Sequence, residues 1–182
     1  GFLRLSGYPS GRFLGTEQEQ EALREEGLDK GRLTLRDADV RFWRAIYDEK
    51  INRADARFQQ FLDGFAQLGL TDKTLFVLTS DHGTEFYEHR RFDHGFTLYG
   101  EQLQVPLVIQ LPGQRSGRVI ADPVSSIDVM PTILDLLDVA VPKEAHAQMR
   151  GKSLAPALQG ETTGRDVFSE TDYREYTFKR SI

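Results

Sequence analysis

The 182 residues carry 39% hydrophobic and 28% charged side chains, an ordinary balance for a single soluble domain that can bury a core. A net charge of −5 supplies no basic patch of the kind nucleic-acid binding needs, so no nucleic-acid partner is expected. The absence of cysteine excludes a disulfide framework, and no apolar run approaches the roughly twenty residues of a membrane span, so this chain is expected to hold no membrane segment.

Gly1, Gly7, Pro9, Gly11 and Gly15 punctuate the start of the chain and predict irregular structure. Glu17 to Glu26 reads as a short charged helix ending near Gly27, with a solvated face. Thr34 is the expected N-cap of a long helix, with Asp37 three residues on in a variant capping box. That helix carries Trp43, Tyr47, Ile51, Ala54, Phe58, Phe61, Phe65 and Leu68 at three- and four-residue steps, a stripe that predicts core packing against one face of a sheet.

Thr74 to Thr79 is a continuous β-prone run, which predicts a strand covered on both faces of a parallel sheet. Its carboxyl end then opens onto the crevice where open α/β sheets bind ligands. At that end stand Asp81, His82 and Gly83, and three of the four histidines, His82, His89 and His94, fall close together. Gly83 lets the chain turn so that Asp81 and His82 can converge on one ion. The bland alternative is a polar loop, with Asp81 accepting backbone N–H groups as an Asx turn and His82 solvated.

Pro106 to Leu111 predicts a second buried strand closed by Pro112-Gly113, and the long segment after Thr79 leaves room for a crossover and parallel pairing. Asp128 starts another helix and acts as its cap rather than as a ligand. Pro131 is tolerated in its first turn, and Ile133, Leu134, Leu136 and Leu137 face inward. Pro142 ends that region and Ser153 to Leu158 forms a short helical piece. Asp166 to Thr171 reads as a strand, and Tyr176 to Ile182 as the opening of the next.

Tyr47-Asp48-Glu49-Lys50-Ile51, Leu68 to Thr74, Thr79-Ser80-Asp81-His82-Gly83, His94 to Tyr99, Val105 to Ile109, Ser126 to Leu134, Arg150 to Leu154 and Phe168 to Thr171 follow one another in a familiar order. In that order they resemble the sulfatase branch of the alkaline phosphatase superfamily, from about residue 36 to the end. The resemblance implies an α/β fold: a partial alkaline-phosphatase-like mixed, mainly parallel sheet flanked by helices, with the start of a small antiparallel C-terminal subdomain. It divides the chain into an irregular loop and short charged helix at 1–35, the C-terminal part of the catalytic α/β domain at 36–160, and the start of the C-terminal subdomain at 161–182.

The resemblance also implies roles. Asp81 and His82 match the adjacent pair that binds the catalytic metal. His94 matches the residue that contacts sulfate or phosphate oxygens, acts as general acid, or ligates a second metal, and His89 is a further candidate in the same loop. The expected cofactor is a divalent metal, Ca²⁺ for a sulfatase and Mn²⁺ or Zn²⁺ for a phosphoesterase. The nucleophile of the family lies upstream in a Cys/Ser-x-Pro-x-Arg motif converted to formylglycine, and no residue here matches it: Ser6 to Arg12 has the wrong spacing.

The chain is therefore expected to be the C-terminal portion of a metal-dependent sulfatase-like hydrolase of small-molecule or glycan sulfate esters, inactive in isolation. Phosphodiester or phosphonate hydrolysis, or phosphoryl transfer, on the same scaffold is the alternative. Homo-oligomerisation through an exposed sheet is the non-enzymatic expectation. By resemblance alone the parent protein is periplasmic, secreted or membrane-anchored.

Overall fold

The computed structural model describes residues 35–173 and 177–181. The charged helix at Glu17 to Glu26, the Thr34 cap and the Ser6 to Arg12 segment lie outside the described residues. The chain divides into two compact units, one running to Gln114 and including Thr171–Lys179, the other comprising Arg115–Glu170 with Arg180–Ile182.

The first unit opens with α1, Asp37–Gln67. Its N-cap is Arg36, whose backbone N–H donates to the Asp39 carboxylate at 3.0 Å while its guanidinium pairs with the same group. Asp37 and Asp39 also place negative charge where the helix dipole favours it. At the other end Gly69 adopts φ 67, its N–H donates to Ala66 O, and the Leu70 N–H donates to Phe65 O. That bond pair is a Schellman stop, and the left-handed position is why glycine stands there.

With 31 residues the helix is about 45 Å long, so its apolar stripe meets different partners at its two ends. Near the start Trp43 packs edge-on against Phe92 and Tyr47 against Phe86, with Leu35 and Ile46 buried nearby in sequence. Near the end Phe61 and Phe65 meet Phe76. The stripe is not the continuous core that the periodicity predicts: residues 51–57 are exposed all round, and Leu68 is 73% exposed. Periodicity identifies the face a helix can bury, but a partner must be present along its whole length to bury it.

β1, Phe76–Thr79, pairs with β4, Leu107–Gln110. The pairing is antiparallel, with Leu78 opposite Val108, and this corrects the parallel expectation. The intervening segment is no single crossover helix. It holds the small hairpin of β2, Glu85–Phe86, and β3, Phe92–Asp93, and then α2, Gly100–Leu103, before returning along β1 in the opposite sense. The α/β class stands, and the β1–β4 and β2–β3 pairs are both antiparallel. Nor are β1 and β4 buried on both faces, since Leu78 and Val108 are both exposed.

In the second unit a 3₁₀ turn, Ser126–Asp128, leads into α3, Val129–Leu136, followed by α4, Lys143–His146, and α5, Ala155–Gln159. Asp128 is fully buried. It accepts the Ser125 N–H at 2.8 Å, the Lys152 N–H at 2.9 Å and the Arg165 guanidinium, so it is an anchor. It stands at the N-cap position of α3 as expected, but its side chain makes no cap bond to that helix and closes the capping box of the preceding 3₁₀ turn instead. Thr132 extends the anchor, donating to Asp128 O and accepting the Leu154 N–H. Thr132 is buried, while Leu137, expected to face inward, is exposed one residue past the helix end. β5, Ser169–Tyr173, and β6, Thr177–Ser181, form a separate two-stranded sheet.

Replacing Asp128 with Ala leaves Arg165 and two backbone donors without their acceptor, and urea unfolding is expected to register a loss of about 3 kcal/mol. The exposed Met130→Ser is the matched control and should stay within about 0.5 kcal/mol of wild type.

Candidate active site

β1 ends at Thr79, and the next residues no longer follow strand geometry. The turn is made by Gly83, whose N–H donates to Gln102 O at 2.8 Å. A Cβ on Gly83 would lie 2.0 Å from Glu101 O, so only glycine allows this approach of loop to α2. The Gly83 N–H is thereby taken, and an Asx turn on Asp81 does not form. Asp81 accepts the His82 N–H instead, at 3.0 Å.

That backbone bond first, and the electrostatic influence of the adjacent His82 ring second, hold the Asp81 carboxyl below its usual range, so it is an anion at neutral pH. Its side chain is 86% exposed and free to take a ligand. The His82 ring is turned by a contact between Nδ1 and Gly83 O at 2.8 Å. A carbonyl oxygen only accepts, so Nδ1 carries a proton and Nε2 is the ring nitrogen turned to other partners. Nε2 stands 3.7 Å from Asp81 Oδ2. One ion at ordinary ligand distances of about 2.0–2.4 Å can touch both atoms, and an imidazole beside a carboxylate is a donor pair that divalent metals accept.

His94 completes the arrangement from the other side of the loop. Its ring stacks on His82 with centroids 3.6 Å apart and planes 19° from parallel. Its Nδ1 lies 2.6 Å from Asp93 Oδ1, so the carboxylate fixes this ring as the Gly83 carbonyl fixes the other. Asp93 adopts φ 75, a left-handed backbone that aspartate tolerates better than most residues but still at a cost. Both imidazoles are thus held through Nδ1, leaving Nε2 for chemistry.

His89 does not join that pair. Its ring stacks on Tyr99 with centroids 3.4 Å apart, and its Nδ1 faces Glu85 and Glu101. Among the described residues, no group of three or more His, Cys, Asp or Glu side chains is gathered to hold a metal ion. Asp81 and His82 offer two donor atoms, short of a complete ligand set among the described residues. Sequence reasoning missed Asp93, Glu85, Thr97 and Gln102, the residues that support the loop; only the Asp-His adjacency of Asp93 and His94 carried any signal.

A family model described as Sulfatase matches residues 16–139. Human arylsulfatase K is 33% identical over 132 residues, covering 72% of this chain and 23% of that protein. Bovine arylsulfatase K is 33% identical over 119 residues, covering 65% of this chain and 21% of that protein. The chain thus spans about a fifth of the length of these curated relatives. Among solved structures, phosphonate monoester hydrolase SpPMH from Silicibacter pomeroyi aligns with a TM-score of 0.66 at 30% identity, covering 77% of this chain and 27% of that one.

Gly83→Ala drives a methyl into the Glu101 backbone and is expected to cost about 1–3 kcal/mol in thermal unfolding. Gly64, inside α1 with nothing near its missing Cβ, gives the opposite sign: Gly64→Ala should stabilise by about 0.5–1 kcal/mol.

Proposed function

The chain belongs to the sulfatase family, within the alkaline phosphatase superfamily, and on that premise we propose that the protein carrying it hydrolyses sulfate esters at a site built around Asp81, His82 and His94. The observation that supports this most is the pair of stacked imidazoles, each held through Nδ1, beside an exposed and ionised Asp81. Such a site works by charge stabilisation and positioning.

Asp81 and His82 would hold a divalent ion, which supplies positive charge against the sulfuryl oxygens. By donor type the pair suits Mn²⁺ or Zn²⁺, whereas Ca²⁺ is the ion the sulfatase reading implies. His94 acts from the opposite face of the loop. With Nδ1–H held by Asp93, a proton on Nε2 makes an imidazolium that the carboxylate balances, and that proton holds a substrate oxygen or passes to the leaving alkoxide. No residue of this chain is assigned as nucleophile. His89, engaged with Tyr99, is given a supporting role in the loop.

Phosphonate ester hydrolysis is the second reading, favoured by the similarity to SpPMH at 30% identity. The substrate is a small-molecule or glycan ester in either case, and a secreted, periplasmic or organellar setting goes with the family.

In the full-length protein, p-nitrophenyl sulfate should be turned over with a higher kcat/KM than p-nitrophenyl phenylphosphonate, and the reverse ratio would transfer the assignment to the second reading. Asp81→Asn and His82→Ala are each expected to lower kcat/KM by about a hundredfold or more. Activity should vanish in EDTA and return with the cognate ion; insensitivity to chelation would remove the metal from the proposal.

A further inference from the structure

The loop that carries the two histidines is fastened by a buried polar cluster with no part in the chemistry proposed above. Glu85 is fully buried, and Thr97 and Gln102 nearly so. Glu85 Oε1 accepts the His89 N–H at 3.0 Å, and Oε2 accepts the Thr97 hydroxyl at 2.8 Å and the Gln102 amide at 3.0 Å. The same Gln102 amide nitrogen also donates to Thr97 Oγ1 at 2.7 Å.

Gln102 uses its remaining acceptors on the two histidine-bearing segments. Its backbone oxygen takes the N–H of Gly83, the residue after His82. Its side-chain Oε1 takes the N–H of Gly95, the residue after His94, at 2.9 Å. One side chain and its own backbone thus clamp both segments whose rings stack at 3.6 Å. The orientation of the amide is dictated by its surroundings. Gly95 N–H can only donate, so it must meet Oε1; Glu85 accepts, so it must meet the NH₂.

We propose that Gln102 is a positioning residue that sets the spacing and facing of His82 and His94, and that buried Glu85 orients its amide for that task. Glu85 fills three donors' needs in a site shielded from water, where an unmatched partner is costly. The inference rests on His82 and His94 forming the site, but it concerns geometry and can be read without turnover.

The test exchanges the two groups. Gln102→Glu sets a carboxylate against Glu85 at hydrogen-bond distance. The double variant Glu85→Gln with Gln102→Glu restores every bond: residue 102 still accepts from Gly95, the new amide at 85 donates to it, and the His89 N–H still finds an oxygen. In the full-length protein, NMR of the histidine Cε1–H groups reads the stacked rings directly through their mutual ring-current shifts. Gln102→Glu is expected to move both the His82 and His94 signals and to lower kcat on p-nitrophenyl sulfate about tenfold or more, with a smaller change in KM. The double variant should return the signals and bring kcat to within about threefold of wild type.

A double variant no better than Gln102→Glu would overturn the proposal, as would wild-type histidine signals in the single variant. Should Gln102→Glu fail to fold, a folded double variant with stacked histidines supports the clamp. A double variant that also fails, while Glu85→Gln folds, refutes it. If wild-type protein shows no sulfate turnover, the sulfatase reading falls while the NMR comparison still decides the clamp.

Discussion

The approach of Gly83 to the backbone of Glu101 and Gln102 is the constraint on which the candidate site depends. A strand end alone would send Asp81 and His82 to opposite faces. The turn that reunites them is held by one N–H to carbonyl bond at 2.8 Å, in a space where a methyl group would sit 2.0 Å from a carbonyl oxygen. From that contact follow the exposed Asp81 carboxylate, the Nδ1 anchor of His82 on Gly83 O, and the stacking of His94 on His82.

Each unit is organised around a fully buried carboxylate with three donors, Glu85 in the first and Asp128 in the second. The buried apolar residues among those described are few: Leu35, Ile46, Phe96, Leu154 and Ala157. With so little apolar burial, local order in these loops comes from donors and acceptors that would be costly to leave unmatched. Polar anchoring of this sort fixes geometry more sharply than non-directional hydrophobic contact, which suits a loop that must hold two imidazoles at stacking distance. Gly151 plays for Asp128 the part Gly83 plays in the first unit, since a Cβ there would lie 2.0 Å from Ile127 O.

Much of this was legible in the chain. The long helix, the strands at Phe76–Thr79 and Leu107–Gln110, and the start of α3 at Asp128 follow from local pattern. Strand direction does not. The length after Thr79 permits a crossover, but the hairpin at Glu85 to Asp93 and the short α2 consume it and return the chain antiparallel. Burial on both faces was misjudged because an apolar run shows what a strand can bury, not what is present to cover it. At the site, Asp81, His82 and His94 were visible as residue types suited to metal and anion chemistry. Glu85, Thr97 and Gln102 were not, because Glu and Gln ordinarily face water and their partners stand 5 to 17 residues away, with no spacing rule linking them.

The central proposal is that Asp81 and His82 hold a divalent ion with the His94 ring stacked beside them. Substoichiometric Mn²⁺ added to the full-length protein, with the histidine ring signals followed by NMR, tests it most directly. The account predicts paramagnetic broadening of His82 and His94 together, abolished in Asp81→Asn. Broadening that persists in Asp81→Asn, or none at His82 and His94, would contradict it.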